Sequence, residues 1–180
     1  MPRTIPTINT ARLTLRAMGP GDFDRFAAIW ADPDVVRFIG AEPWDRAKSW
    51  ASFLRNAGHW QMTGYGQWAV EIHATKQMVG QVGFFQGMRG YGDDFDTFPE
   101  AGWVLTPEAQ GKGFGLEATM AAHEWFDRVI TGPLVAQVVP QNAASAKVAS
   151  TLGYTAFRQT DEVTLMIRKT PPVMQMSQAR

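Results

Sequence analysis

The stretch Trp103-Val104-Leu105-Thr106-Pro107-Glu108-Ala109-Gln110-Gly111-Lys112-Gly113-Phe114-Gly115 holds the residue types and spacing that speak most directly of chemistry. An apolar, strand-like run ends at Leu105, Pro107 breaks it, and a glycine-rich loop leads into helical periodicity. Such a connection aims several backbone N–H groups and the positive end of a helix at one point, which makes an anion site. Glycine at 111, 113 and 115 leaves the backbone free to approach a bulky phosphate with no Cβ in the way. A tight strand-to-helix turn without a ligand would use the same residues, so the loop needs support from the rest of the chain.

Two phosphate-binding fingerprints can be weighed here. Gly113-Phe114-Gly115-Leu116-Glu117-Ala118 formally fits the dinucleotide pattern G-x-G-x-x-[G/A]. That pattern requires the glycines to follow the strand directly and an acid about 20 positions on to hold a ribose. Several residues separate Leu105 from Gly111, and Val138 to Gln141 contains no acid. A P-loop is absent as well, because no Gly-Lys-Ser/Thr follows the glycines.

Other chemistries are excluded by what the chain lacks. It has no cysteine, hence no disulfide, thiolate metal site or cysteine nucleophile. His59, His73 and His123 show no ligand spacing, so no metal is expected. Seventeen basic residues balance seventeen acidic ones, which speaks against nucleic acid as a partner. Met1 to Thr10 has no apolar signal-peptide core, and no run of about 18 apolar residues spans a membrane. These features predict a soluble, cytoplasmic protein with no membrane partner.

The elements that must position the loop follow from periodicity. Arg12 to Arg16 alternates as a half-buried strand. Asp22 is placed to cap a helix with Phe23, Phe26, Ala27 and Trp30 at helical spacing. A second helix is expected from Asp45 to Trp60, with Trp50, Phe53 and Leu54 on one face, ended by Gly64-Tyr65-Gly66. Gln67 to Ile72, Val79 to Phe85 and Ala101 to Leu105 read as strands, the last after a loop from Gly90 to Phe98. Gly113 then opens a long helix with Ala118, Ala121, Ala122, Trp125 and Val129 on its apolar face. Strand Leu134 to Val139 precedes a short helix capped by Asn142, carrying Ala144, Val148 and Leu152 and stopped by Gly153. Thr155 to Arg158 and Val163 to Arg168 close the chain, and Pro171 to Arg180 reads as a frayed tail. The order β-α-α-β-β-β-α-β-α-β-β predicts one α/β (α+β) domain over 1–180, with a core at 10–169 and a mixed sheet of about seven strands.

Gln110-x-x-Gly113-x-Gly115 resembles the pyrophosphate loop Q/R-x-x-G-x-G/A of the GNAT N-acetyltransferase superfamily. Asn142-x-x-Ser145 and Leu152-Gly153-Tyr154 are similar to the N-x-x-S…L-G-F/Y element of its RimJ/RimL-type branch. The Arg12–Arg16 and Gln67–Val70 strands also look like that branch, so the likeness spans roughly residues 10 to 169. Three motifs in order, on the expected elements, are far more specific than any one of them.

The resemblance implies the acyl-CoA N-acyltransferase fold, a mostly antiparallel sheet flanked by helices, and acetyl-CoA as co-substrate. Backbone groups of Val104 and Leu105 would hold the pantetheine arm. The N–H groups of Gly111, Lys112, Gly113, Phe114 and Gly115, with Gln110, would receive the pyrophosphate, and the Lys112 cation could meet a phosphate. Asn142 would hydrogen-bond the pantetheine, and Ser145 would sit near the thioester sulfur. Many members carry a tyrosine seven positions after the asparagine as acid for the thiolate. Ala149 stands there, which leaves Ser145 as the replacement.

The reaction so implied joins a neutral amine to a thioester, and some group must take the amine's proton. Glu100, at the start of the strand beside the cofactor, is the candidate base, directly or through water, with Glu71 on the neighbouring strand second. Each assignment has a plainer alternative. Asn142 could be a cap only, Ser145 a first-turn residue only, and Glu100 a solvated strand-end carboxylate. A non-catalytic acyl-CoA-binding module and, more remotely, a dinucleotide-dependent oxidoreductase also stay open. The amine acceptor, whether a protein N-terminus or a small molecule, is not specified, and a homodimer is compatible with the pattern.

Overall fold

Alternation along Leu13-Thr14-Leu15-Arg16 buries both leucines completely and leaves Thr14 and Arg16 partly exposed, so the strand has one face in a core. The computed structural model describes residues 3–39 and 42–169. The tail expected at Pro171–Arg180 lies outside the described residues. Strands are β1 (Ile8–Asn9), β2 (Leu13–Arg16), β3 (Gln67–Ile72), β4 (Met78–Phe85), β5 (Glu100–Leu105), β6 (Leu134–Val138), β7 (Thr155–Gln159) and β8 (Thr164–Arg168). Helices are α1 (Phe23–Ala31), α2 (Pro33–Val36), α3 (Arg46–Thr63), α4 (Asp93–Asp96), α5 (Phe114–Val129) and α6 (Ala143–Thr151).

The strands form one eight-stranded sheet in the order β1-β2-β3-β4-β5-β6-β8-β7. Every pairing is antiparallel except β5 with β6. The architecture matches the fold expected from the sequence; the eighth strand is β1, whose two residues are too few to show a period. The one-turn helices α2 and α4 also escape periodicity. Asp32 caps α2 by accepting from the Asp34 N–H, with Pro33 in the first turn, as a local sequence signal would have it.

Two layers of side chains cover the sheet. On one face Leu13, Leu15, Trp68, Val82, Phe84 and Leu134 pack with Ala118, Ala122, Trp125 and Phe126 of α5. On the other, Ala69 and Met78 pack under Phe26, Ile29, Trp30 and Phe53 from α1 and α3. A third cluster, with Phe95, Val135 and Leu165, fills the space beneath the α4 segment.

Four local expectations are corrected. Asp22 does not cap α1; its carboxylate accepts from Arg16 through both oxygens (2.8 and 2.9 Å) and from the Gly19 N–H. The ion pair is the stronger competitor for those lone pairs. On α3 the buried face is Ser49, Phe53, Asn56 and Trp60, whereas Trp50 and Leu54 are about half exposed. Polar Asn56 goes inside because its amide exchanges two hydrogen bonds with the Gln67 backbone, a long-range pairing that helical hydrophobicity does not register. On α5 Val129 is exposed and Phe114, Thr119 and His123 are inside instead. On α6 Ala144 is exposed and the buried positions are Ala149 and Leu152, because only that side faces β6.

Candidate active site

Strands β5 and β6 touch at a single registered pair, Glu100 with Val135, where the Val135 N–H donates to the Pro99 carbonyl (3.0 Å). Beyond it β5 runs on to Leu105 and β6 to Val138 without pairing, so the sheet opens into a split. The opposite edge of β5 stays paired with β4 along its whole length. Alternation decides which backbone groups face the split. The Thr106 N–H donates to Val79, which assigns even-numbered residues of β5 to β4. Trp103 and Leu105 therefore present their backbone to the split, while Val104 spends both groups on Gln81. Val104, expected to share in holding an extended ligand arm, has no backbone group turned to the split.

At the open end of the split, a 3₁₀ turn at Pro107–Ala109 leads into the glycine loop and α5. Gly111 (φ 71°) and Gly113 (φ 77°) are left-handed, a conformation that costs other residues about 1 kcal/mol or more. Gly113 is the N-cap residue of α5 and no side chain caps the helix. The first intrahelical bond is Glu117 N–H to the Gly113 carbonyl, so the N–H groups of Phe114, Gly115 and Leu116 have no partner within the helix. Gly115 has a different reason: a Cβ there would lie 3.3 Å from the Leu105 side chain. Gln110 donates from Nε2 to the Leu105 carbonyl (2.9 Å) and thereby closes the loop onto the strand end. Lys112 is exposed, and Phe114 is buried.

Arg12 was not among the expected site residues, yet it holds this loop. Its guanidinium donates to the Lys112 carbonyl (2.9 Å), pairs with Glu117 (2.6 Å) and covers the Phe114 ring at 4.6 Å. No sequence spacing connects positions 12 and 112; the register of β1 and β2 against α5 does.

Across the split, Asn142 caps α6 by accepting the Ser145 N–H at Oδ1 (3.0 Å). Its Nδ2 makes no hydrogen bond among the described residues, so capping leaves that donor unused. The Ser145 Oγ accepts from the Trp103 indole N–H (2.9 Å), which brings β5 and α6 together. Ala149 is fully buried, one turn along α6 from Ser145.

Glu100 sits at the floor of the split, 3% exposed, with both oxygens accepting from Arg89 (2.9 and 2.8 Å). A Cβ on Gly87 would collide with its carboxylate, so the backbone of that loop lies directly over it. The plainer reading of a solvated strand-end carboxylate is overturned. Burial raises its pKa above the ordinary glutamate value, and the Arg89 bonds and charge oppose that rise without cancelling it. The Gln137 amide oxygen accepts from both terminal nitrogens of Arg89 (3.1 and 3.2 Å), and its nitrogen donates to the Tyr91 hydroxyl. Glu71 is elsewhere: it accepts from Arg16 (2.7 Å) on β3, two strands from β5 and about 10 Å away. The structure thus gathers Glu100, Ser145, Asn142 and the loop around the split and leaves Glu71 out.

Residues 12–155 match the family of the acetyltransferase (GNAT) domain. The chain belongs to the GNAT acetyltransferases. An uncharacterized N-acetyltransferase, p20, of Bacillus licheniformis is 25% identical over 150 residues, 82% of each chain. An acetyltransferase from Agrobacterium tumefaciens superposes with a TM-score of 0.79 at 29% identity, over 94% of this chain and 98% of that one. A spermidine N-acetyltransferase from Vibrio cholerae, solved with CoA and spermine, has the same fold (TM-score 0.68, 18% identity, 89% and 96% coverage). For a GNAT chain the dinucleotide reading falls away, and the 3₁₀ turn between Leu105 and Gly111 gives the physical reason.

Proposed function

We propose that this acetyltransferase moves the acetyl group of acetyl-CoA to a primary amine by direct attack on the thioester. The observation that carries the reading is the split between β5 and β6, ending at the uncapped N-terminus of α5. An extended pantetheine fits between the strands, with Trp103 offering its backbone groups, Leu105 its N–H and Asn142 its free Nδ2. The pyrophosphate fits against the loop N–H groups, where helix charge and open donors favour an anion. CoA in the Vibrio cholerae relative supports the co-substrate, and spermine there supports an amine acceptor. The Asn142-x-x-Ser145 and Leu152-Gly153-Tyr154 elements support the RimJ/RimL-type branch, whose acceptors include protein N-termini.

In the proposed step the amine nitrogen forms a bond to the acetyl carbon, and the C–S electron pair passes to sulfur. Ser145 gives its hydroxyl proton to the departing thiolate. Glu100 takes the amine's proton, directly or through one water, and its raised pKa lies in the direction a base near neutrality needs. One Arg89 hydrogen bond to Glu100 must be exchanged for that contact, since both oxygens are occupied. Proton transfer from the amine side back to Ser145 balances the cycle.

Thiol release from acetyl-CoA in the presence of an amine panel, with products read by mass spectrometry, tests the reading. The chain has no cysteine, so a thiol reagent reports only CoA. The expected result is acetylated amine and CoA in equal amounts, with thermal stabilisation by CoA and none by NAD. Stabilisation by CoA without transfer to any amine would favour the non-catalytic acyl-CoA module.

A further inference from the structure

We infer that Trp103 is the positioning residue for Ser145: its indole N–H, reaching from β5 to α6, fixes the serine oxygen and turns the hydroxyl proton toward the thioester. The inference rests on the reading in which Ser145 protonates the thiolate.

Three helical threonines provide the contrast with this arrangement. Thr63, Thr119 and Thr151 each donate to the carbonyl four residues back, at 2.8 Å, and so spend their proton on their own helix. Ser145 is the third residue of α6, and the residue four back, Gln141, lies outside the helix. Its hydroxyl accepts from Trp103 and donates to nothing among the described residues. A hydroxyl that accepts a hydrogen bond becomes a better donor through its remaining proton. With one lone pair engaged by the indole and the Ser145 N–H held by Asn142, the oxygen is fixed from two sides. The Trp103 backbone faces the same split, and its indole reaches α6 on the far side of it. A phenylalanine keeps an aromatic ring at this position without supplying the donor.

The test uses hydroxylamine as the probe nucleophile, because it is already neutral at the assay pH and needs no deprotonation before attack. Enzyme-dependent CoA release is measured for Ser145→Ala, Trp103→Phe and the double variant. Trp103→Phe is expected to lower kcat by about tenfold, within the range for general-acid effects, with the KM for acetyl-CoA nearly unchanged. On the Ser145→Ala background it should cost nothing further. Wild-type kcat in Trp103→Phe, or the same tenfold loss added to that of Ser145→Ala, overturns the inference. Normal turnover in Ser145→Ala overturns the Ser145 reading instead. A second measurement keeps the two apart: the Trp103 indole N–H resonance, identified by its loss in Trp103→Phe, should move upfield in Ser145→Ala. An unmoved resonance means that the hydrogen bond does not exist in solution and the inference fails.

Discussion

Between Gln110 and Gly115 the chain leaves backbone N–H groups without a helical partner, whereas around Glu100 the carboxylate is held by side chains. The loop needs two left-handed glycines, an uncapped helix end and one external clamp, Arg12. The floor of the split needs Glu100, Arg89, Gln137 and Tyr91 in one chain of hydrogen bonds, under a backbone turn at Gly87. A backbone site holds its partial charges at any pH, so it suits a permanently charged phosphate. A side-chain site can change protonation, which suits a proton transfer. Damage to the loop should therefore appear in cofactor binding, and damage to the floor in turnover.

The largest effect expected from breaking that division is at the floor. Glu100→Gln keeps the shape and part of the bonding to Arg89 but cannot take a proton. A fall in kcat of roughly 10²-fold is expected, with little change in the KM for acetyl-CoA and a smaller loss at high pH, where more amine is already neutral. Steady-state kinetics across pH on the acceptor found by the amine panel will check it; near-normal turnover removes Glu100 as base.

Next comes the loop. Gly113→Asp puts a side chain into a left-handed position, 3.3 Å from Arg12, and a negative charge beside the expected pyrophosphate. CoA affinity should fall at least about tenfold, on the order of 1.4 kcal/mol, by calorimetry on folded protein. Unchanged affinity would take the loop out of the site.

Asn142 sharpens the comparison, since one side chain serves both purposes. Asn142→Asp retains the acceptor that caps α6 and loses the Nδ2 donor. CoA binding should weaken by a few-fold, about 1 kcal/mol for one hydrogen bond, while Tm hardly moves. Lost stability with normal CoA binding would mark the residue as a cap alone.

The smallest effect lies away from both regions and serves as their control. His123 is buried in α5, with Nδ1 donating to the Thr119 carbonyl (2.7 Å) and Nε2 accepting from the Tyr154 hydroxyl (2.8 Å). Burial pushes its pKa down from 6.5 to about 4; the Thr119 bond opposes this, and Arg168 and Asp127 act in opposite directions. Between those values the unfolded chain binds a proton that the native state refuses, so stability falls as pH drops through that window and is full above it. Tm should be lower at pH 5 than at pH 7, and His123→Gln should flatten that difference. A pH-independent Tm in the native protein would contradict the buried neutral imidazole.

Seven of the eight strands and helices α1, α3, α5 and α6 were legible in the sequence, from alternation, helical spacing or, in β6, a short apolar run. The glycine loop was legible for a related reason: Gly111 and Gly113 answer a backbone demand made within a few residues of themselves. Failures came where a distant partner outvoted the local pattern. Asp22 had the position of a cap and went to Arg16, and polar Asn56 went inside to meet the backbone of β3.

Sequence alone determined the longer elements, the glycine positions of the loop and the cap on α6, since these are set by interactions within a few residues. Only the tertiary structure decided which edge of β5 opens, that Arg12 clamps a carbonyl 100 residues away, and that Trp103 meets Ser145 across 42. Those pairings depend on strand register and on the single contact between β5 and β6, and register is a property of two segments together.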